Sequence, residues 1–220
     1  MAKTVRRLLL FGPPGAGKGT QAAIVARRLG VPHIDTGSII RDNIRNKTPL
    51  GIEAKAHVEK GELVPDDLVI RLVADRLKQA DARDGWLLDG FPRSPAQALA
   101  LSNMGEHGEE MVEKVVFIDV PEEPLVKRLT SRRICAGCKG VYNLVTLPPA
   151  VRDVCDTCGG GLIQRADDNE ESVRNRFRVY HEETAPIADY YCGKGLLVKV
   201  DGMDGIEEIT DRVMVALNKG

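Results

Sequence analysis

Nothing in this chain approaches the roughly 18 consecutive apolar residues that a bilayer-spanning helix needs. Net charge is also nearly absent: 31 Lys and Arg against 32 Asp and Glu leave −1. That balance argues against broad electrostatic attraction to nucleic acid or an anionic membrane, so any bound anion must be held by local clusters. Aromatic residues are scarce (one Trp, four Tyr, four Phe), too few for the stacking platforms of a single-strand binder. Five cysteines in 220 residues do not make a disulfide-stapled secreted scaffold. The opening MAKTVRRLLLFG has three basic residues and a short apolar run, without the longer apolar region and small-residue cleavage site of a signal peptide. The expected location is the cytosol, with neither nucleic acid nor membrane as partner.

What is present is an ordinary apolar fraction, 43%, in a length that suits one core of about 150 residues with insertions, or two small domains. Apolar runs alternate with amphipathic stretches. Val5 to Phe11 reads as a strand and Gly17 to Leu29 as a helix, followed by two short helices over Thr36 to Arg45 and Leu50 to Lys60. Asp66 and Asp67 suit a helix N-terminus, and that helix places Val69, Leu72, Val73 and Leu77 on one face. Trp86-Leu87-Leu88, Val115 to Val120 and Leu196 to Val200 read as further buried strands, the last preceding a helix with Ile206, Ile209 and Val213 on one face. Strands alternating with helices predict an α/β fold with a parallel sheet, whose ligands bind beyond the carboxyl ends of the strands. Gly12, Asp89 and Asp201 each follow such an end.

The sequence GPPGAGKGT, Gly12 to Thr20, nearly fits the phosphate-binding loop G-x-x-x-x-G-K-[ST]. Glycines 12, 15 and 17 let backbone N–H groups turn inward around phosphate oxygens, the following helix adds its positive end, and Lys18 reaches the outer phosphates. Gly19, however, stands where the Mg²⁺-binding hydroxyl is expected, and Thr20 comes one place late, free to bond an inner phosphate. Mg²⁺ should then be held mainly by the nucleotide, with Asp89 acting on it directly or through water.

Residues 132–165 break the α/β rhythm. Cys135-x₂-Cys138-x₁₆-Cys155-x₂-Cys158 is a strong zinc signature. Four thiolates would fill a tetrahedral site and leave no position for substrate, so the metal would be structural. Iron could take the same ligands, and two disulfides are the competing reading. Cys192 is left over and suits packing. The four histidines, His33, His57, His107 and His181, form no ligand or triad pattern and read as packing or surface residues.

GPPGAGKGT, then DTG with Arg41, then LLDGFPR, RRICAGC, RADDNEESVRNR and a late VDG together resemble the adenylate kinase family, over nearly the whole chain. The resemblance implies a P-loop NTPase-type sheet flanked by helices: a core over 1–34, 65–130 and 169–220, a helical AMP-binding insertion over 35–64, and a small zinc-binding lid over 131–168. It implies reversible transfer of the γ-phosphoryl of Mg-ATP to AMP, giving two ADP, by a monomer. Gly15, Ala16, Gly17, Lys18, Gly19, Thr20, Arg128, Arg132, Val141 and Tyr142 would bind ATP. Thr36, Arg41, Val64, Gly90, Arg93, Gln97, Arg165 and Arg176 would bind AMP, with Arg41 and Arg93 on its phosphate and Gln97 on its base. Lys18, Arg93, Arg132, Arg165 and Arg176 would carry the catalysis, and Asp167 and Asp168 would close against the arginines. Blander roles stand beside these: a helix cap for Thr36, core for Val64, a cap of the helix through Glu170 for the acidic pair. Arg174 and Arg178 fall on the opposite face of that helix from Arg176 and read as surface salt-bridge residues.

The family usually reads S-T-G-D after its second strand, whereas this chain has Asp35-Thr36-Gly37-Ser38. Three rivals remain: a P-loop switch or hydrolase, which the missing hydroxyl at Gly19 disfavours; a zinc-ribbon nucleic-acid binder, which the charge balance disfavours; and a kinase for another nucleoside monophosphate or a GTP-preferring donor.

Overall fold

The strand Arg7–Phe11 (β1) sends alternate side chains to opposite faces, and all of them after Arg7 are apolar and buried. Leu8 and Leu10 join one hydrophobic cluster, Leu9 and Phe11 another. A strand apolar on both faces belongs in the middle of a parallel sheet covered on both sides. The computed structural model, which describes residues 5–105 and 111–218, has that arrangement. His33–Asp35 (β2), Trp86–Asp89 (β3), Lys114–Asp119 (β4) and Leu197–Asp201 (β8) join β1 in the order β2-β3-β1-β4-β8, every pairing parallel. His107 lies outside the described residues.

The helices Lys18–Leu29 (α1), Glu123–Thr130 (α6), Glu170–Val179 (α7) and Ile206–Asn218 (α9) cover the Leu8/Leu10 face, with Ala22, Val25, Leu125, Leu129, Val173, Phe177, Ile209 and Val213 buried there. Thr36–Arg45 (α2), Pro49–Lys60 (α3), Asp66–Leu77 (α4), Pro95–Ser102 (α5) and Ala185–Gly193 (α8) supply the other face, with Ile40, Ala54, Val69, Val73, Leu101, Ile187 and Tyr191. Burying each such large aliphatic side chain is worth about 1.5–3 kcal/mol. The expected helices over 36–45 and 50–60 form with nearly the expected bounds.

Register is what matters for the site. Leu10 pairs with Asp89, Asp35 with Asp89, and Phe11 with Phe117. The carboxyl ends of β1, β2 and β3 therefore stop within one residue of one another, and the loops at Gly12 and Gly90 and the helix at Thr36 begin side by side. The α2–α3 hairpin is tied back to α7: Ser172 Oγ donates to Glu59 O (2.7 Å) and Asn175 Nδ2 to Lys60 O (2.7 Å). These bonds satisfy carbonyls in the last turn of α3, which a helix leaves without partners.

The cysteine-bearing stretch forms a separate three-stranded antiparallel sheet, Val141–Asn143 (β6), Arg132–Cys135 (β5) and Leu162–Ile163 (β7) in the order β6-β5-β7. Its buried core is only Cys135, Tyr142, Cys155 and Leu162. Val141, Val145, Leu147, Val151 and Ile163 stand exposed around it. Among the described residues, no helix is long and apolar enough to cross a membrane.

Candidate functional site

The loop after β1 makes its turns with Gly12, Gly15 and Gly17 at φ of 139°, 84° and 90°. At Gly12 the backbone also comes so close to β4 that a Cβ would lie 2.5 Å from Ile118 O. No side chain caps α1 at Gly17, so the N–H groups of its first turn face the loop's hollow, the arrangement that receives phosphate at a helix N-terminus. Lys18 curls over this hollow and donates to Gly12 O (2.7 Å) and Pro13 O (2.8 Å). Burial pushes its pKa down to about 8; Asp89 works against that shift, and Arg93, Arg176 and Arg132 add to it. One ammonium thus feels one carboxylate and three guanidiniums, drawn from three separate parts of the chain.

Asp89 ends β3 buried. A Cβ at Gly19 would meet its Oδ2 at 3.4 Å, ordinary contact distance, so the glycine leaves the space before this carboxylate clear of side chain. On its other side His33 Nε2 lies 3.6 Å from Asp89 Oδ2 and is buried without a hydrogen bond among the described residues. Sequence reading placed His33 in packing; the three-residue strand that aims it at Asp89 is too short to show a period. His57 and His181 lie at the surface facing Glu62 and Glu122.

The acidic pair binds the arginines. Asp168, fully buried, accepts from Arg132 Nε (2.8 Å) and Nη2 (2.5 Å), while Arg176 Nη1 stands 3.3 Å from both Asp167 Oδ2 and Asp168 Oδ1. Arg165 grips Asp167 with Nε at 2.8 Å and with Nη2. The alternative of a helix cap is set aside, because Asn169 caps α7 by accepting from Ser172 N. Burial alone would raise Asp167, but Arg165 and Arg176 hold it far below the usual carboxylate range. Burial disfavours the charge on Arg176; Asp167 counters this, and Arg132 and Arg165 aggravate it. A guanidinium does not give up its proton in a protein, so the penalty persists as repulsion that an arriving polyanion relieves. Replacing Asp168→Asn keeps the shape and leaves two buried guanidiniums without their shared anion. The expected loss is about 3 kcal/mol, read as a lower urea midpoint at unchanged slope. Arg174 and Arg178 pair with Glu170 and Glu182 at the surface, as expected.

Around the ends of β2 and β3, Thr36 is buried and donates to Asp89 O (3.2 Å), while Asp35, not Thr36, caps α2 by accepting from Ser38 N. Gly90 has φ 81°, and a Cβ there would meet Arg93 Nη2 at 2.8 Å and Thr36 Oγ1 at 3.0 Å. Arg93 Nε donates to Gly90 O (2.8 Å), and the side chain is exposed. Arg41 makes its bonds to Asp35 and Ser38. Gln97 is 2% exposed; its Oε1 accepts from Arg93 N (2.7 Å) and its Nε2 donates to Asp66 Oδ1 (2.7 Å). A carboxylate only accepts, so Asp66 fixes which way the amide points and leaves it one further N–H and one lone pair. Asp66, expected only as a helix-start residue, also accepts from Ser94 Oγ (2.8 Å). Val64 is buried in the core. Arg128 is the candidate least tied to the others: among the described residues its side chain has no ion pair or hydrogen bond, and its carbonyl accepts from Asn143 Nδ2.

The four sulfurs of Cys135, Cys138, Cys155 and Cys158 all lie within 4.8 Å of one another, a group that could hold a metal ion. Cys135–Cys158 at 3.4 Å and Cys138–Cys155 at 3.5 Å are far from the ~2.05 Å of a disulfide, and all four thiols are free. Metal–sulfur bonds of about 2.3 Å in a tetrahedron need sulfurs about 3.8 Å apart, a value that the 3.4 Å and 3.5 Å pairs and the 4.8 Å limit of the group bracket. Tyr142 turns its ring inward, its hydroxyl 3.3 Å from Cys155 Sγ and accepting from Asp156 N at 2.8 Å. That hydroxyl is the first cause that brings the Cys155 pKa down to about 6, towards the thiolate that metals bind. The Tyr142 hydroxyl therefore serves the cluster. Val141 beside it is 48% exposed. The leftover Cys192 is exposed, not packed as expected.

Comparison with known proteins shows the family. The profile described as "Adenylate kinase" matches residues 10–196. The adenylate kinase of Caldicellulosiruptor bescii is 49% identical over 211 residues, 96% of this chain and 98% of that protein. That of Methanocella arvoryzae is 49% identical, covering 97% of this chain and 99% of that protein. The adenylate kinase of Archaeoglobus fulgidus is 48% identical, covering 96% and 98%. Likeness of this extent, in a chain whose fold gathers the expected lysine and arginines at the ends of a parallel sheet, means that this protein belongs to the adenylate kinase family.

Proposed function

We propose that the protein moves the γ-phosphoryl group of Mg-ATP to AMP and back, with two ADP as the product. The observation that carries this reading is the mutual electrostatic reach of Lys18, Arg93, Arg132 and Arg176 around Asp89. Phosphoryl transfer passes through a loose transition state with little covalent work for the protein, so positioning and charge stabilisation supply the rate. Such a site needs cations rather than a nucleophile.

In this reading Gly15 to Thr20 wrap the ATP phosphates with backbone N–H groups, and Lys18 spans the outer ones. Arg132, Arg165 and Arg176 neutralise charge on the equatorial oxygens, released towards them from Asp167 and Asp168. Arg41 and Arg93 fork onto the AMP phosphate, as planar guanidinium does better than ammonium. Gln97, with Thr36, Val64 and Gly90, presents polar edge and apolar surface to the base. Magnesium, when bound with ATP, would offset charge on the phosphates, and Asp89 behind Gly19 is the carboxylate we assign to it. Zinc is the metal we assign to the four cysteines, which brace 131–168 as a lid over ATP, while 35–64 forms the AMP unit. Lid closure excludes water, which would otherwise consume ATP by hydrolysis.

The test measures ADP formation and ATP loss with and without AMP, then across a panel of nucleoside mono- and triphosphates. We expect rapid ADP formation that depends on AMP, with ATP preferred as donor. Loss of ATP without AMP at the same rate would overturn the reading in favour of a hydrolase. A stronger response to GMP, UMP or GTP would move it to another nucleotide pair.

A further inference from the structure

The acid at position 35, where the family usually has serine, takes part in the Arg41 pocket. Asp35 Oδ1 accepts from Ser38 N (3.1 Å), and Ser38 Oγ donates to Asp35 Oδ2. Arg41 Nη2 then reaches Ser38 Oγ at 2.8 Å and Asp35 Oδ2 at 3.4 Å. Gly37 makes room for the pair, since a Cβ there would stand 2.8 Å from Arg41 Nη1 and 3.2 Å from Asp35 Oδ1. Burial would raise the Asp35 carboxyl; Arg41 and the Ser38 bonds nonetheless hold it below its ordinary value, and it stays ionised at neutral pH. Burial disfavours the charge on Arg41, and Arg165 and Arg132 add to that, while Asp35 and Asp167 favour it.

We propose that Asp35 is an internal counter-anion for Arg41 that the phosphate of AMP must displace or share, so that Asp35 sets how tightly this enzyme binds AMP. This rests on the assignment of Arg41 to the AMP phosphate. With the phosphate in place, a second anion stands on the same guanidinium, and the two repel at short range in a partly buried site. The apo enzyme keeps Arg41 folded onto α2; binding AMP weakens that contact. Asp35 is a positioning residue, acting on substrate through Arg41.

Asp35→Asn separates this role from capping, because asparagine caps a helix as well as aspartate but carries no charge. In Asp35→Asn we expect the AMP KM to fall about fivefold, a step of about 1 kcal/mol, with the ATP KM within about twofold and Tm nearly unchanged. Asp35→Ser should lower the AMP KM likewise. In an Arg41→Lys background the Asp35→Asn effect should shrink to less than about twofold, since coupled residues are non-additive. The inference is overturned if Asp35→Asn leaves the AMP KM unchanged or raises it, or if the drop persists in full without Arg41. Arg41→Lys alone is the control: it should raise the AMP KM at least about tenfold. If it does not, the assignment of Arg41 to the AMP phosphate fails, independently of Asp35.

Discussion

Lys18→Met should reduce kcat and kcat/KM together by about a thousandfold while making the nucleotide-free protein more stable near neutral pH. The two halves share one cause. A preorganised charge aimed at the transferring group in a dry site is worth about 3–4 kcal/mol of barrier, and equal loss in both constants marks an interaction made in the transition state. In the empty enzyme that same ammonium is held against burial and three guanidiniums, which bring its pKa to about 8. A lysine titrating lower in the fold than its ordinary ~10.4 destabilises the fold wherever the unfolded chain would carry the charge. The cost is fully present below about pH 8 and fades as pH rises from 8 towards 10.4. Losing the bonds to Gly12 O and Pro13 O offsets part of the gain, at about 1 kcal/mol each. A net advantage of about 1 kcal/mol for the variant is expected at pH 7, shrinking and reversing above pH 9. Denaturant melts of both proteins across that range, beside initial-rate kinetics, decide it. A stability difference that does not vary with pH would remove the strain account, and a loss below tenfold in kcat would remove the catalytic one.

Removing the metal from the four cysteines should cost more stability than activity at low temperature. The module's buried core has only Cys135, Tyr142, Cys155 and Leu162, and so few residues cannot repay the entropy of ordering three strands and their long connections. Zinc binding contributes about 10–16 kcal/mol to the folding of isolated zinc-finger peptides, more than this module could gather from side chains. We expect chelated protein, or Cys135→Ser with Cys158→Ser, to lose about 10 °C in Tm and to become open to trypsin at Arg133, Lys139 and Arg152. Part of the ADP-forming rate should survive at low temperature, because Lys18, Arg93 and Arg176 lie outside the module, while Arg132 and Arg165 lie inside it and account for the part that is lost. Metal-free protein with an unchanged melting point would refute the structural role.

The parts of this architecture that one stretch of chain decides were open to reading from sequence. Val5 to Phe11 read as a strand, Gly12 to Thr20 as a phosphate loop, and the cysteine spacing as a metal-binding pattern, because each has its own local cause. What escaped depends on neighbours supplied by folding. His33 meets Asp89 only because β2 and β3 pair in register. Asp66 fixes Gln97 across 31 positions, and Tyr142 turns inward because Cys155 lies under its hydroxyl. Two carboxylates close to one helix start, Asp167 and Asp168, had equal local reasons to cap it; Asn169 took that role, and the arginines drew the acids elsewhere. At Thr36 the local motif misled by one position, since Asp35 is the better cap and occupies it.

The tight approach at Gly12 also bears on how the chain finds its alignment. With apolar side chains on both sides of β1, sliding the strand by one residue would exchange Leu8 and Leu10 for Leu9 and Phe11 and still bury grease on either layer. Hydrophobicity therefore gives weak guidance about where β1 stops. Only a residue lacking a side chain can sit against the carbonyl of Ile118, so the slipped alternative would press Phe11 or Pro13 into that gap. The nucleotide loop thus doubles as the peg that fixes the central strand, and mutations there should produce misfolded as well as inactive enzyme.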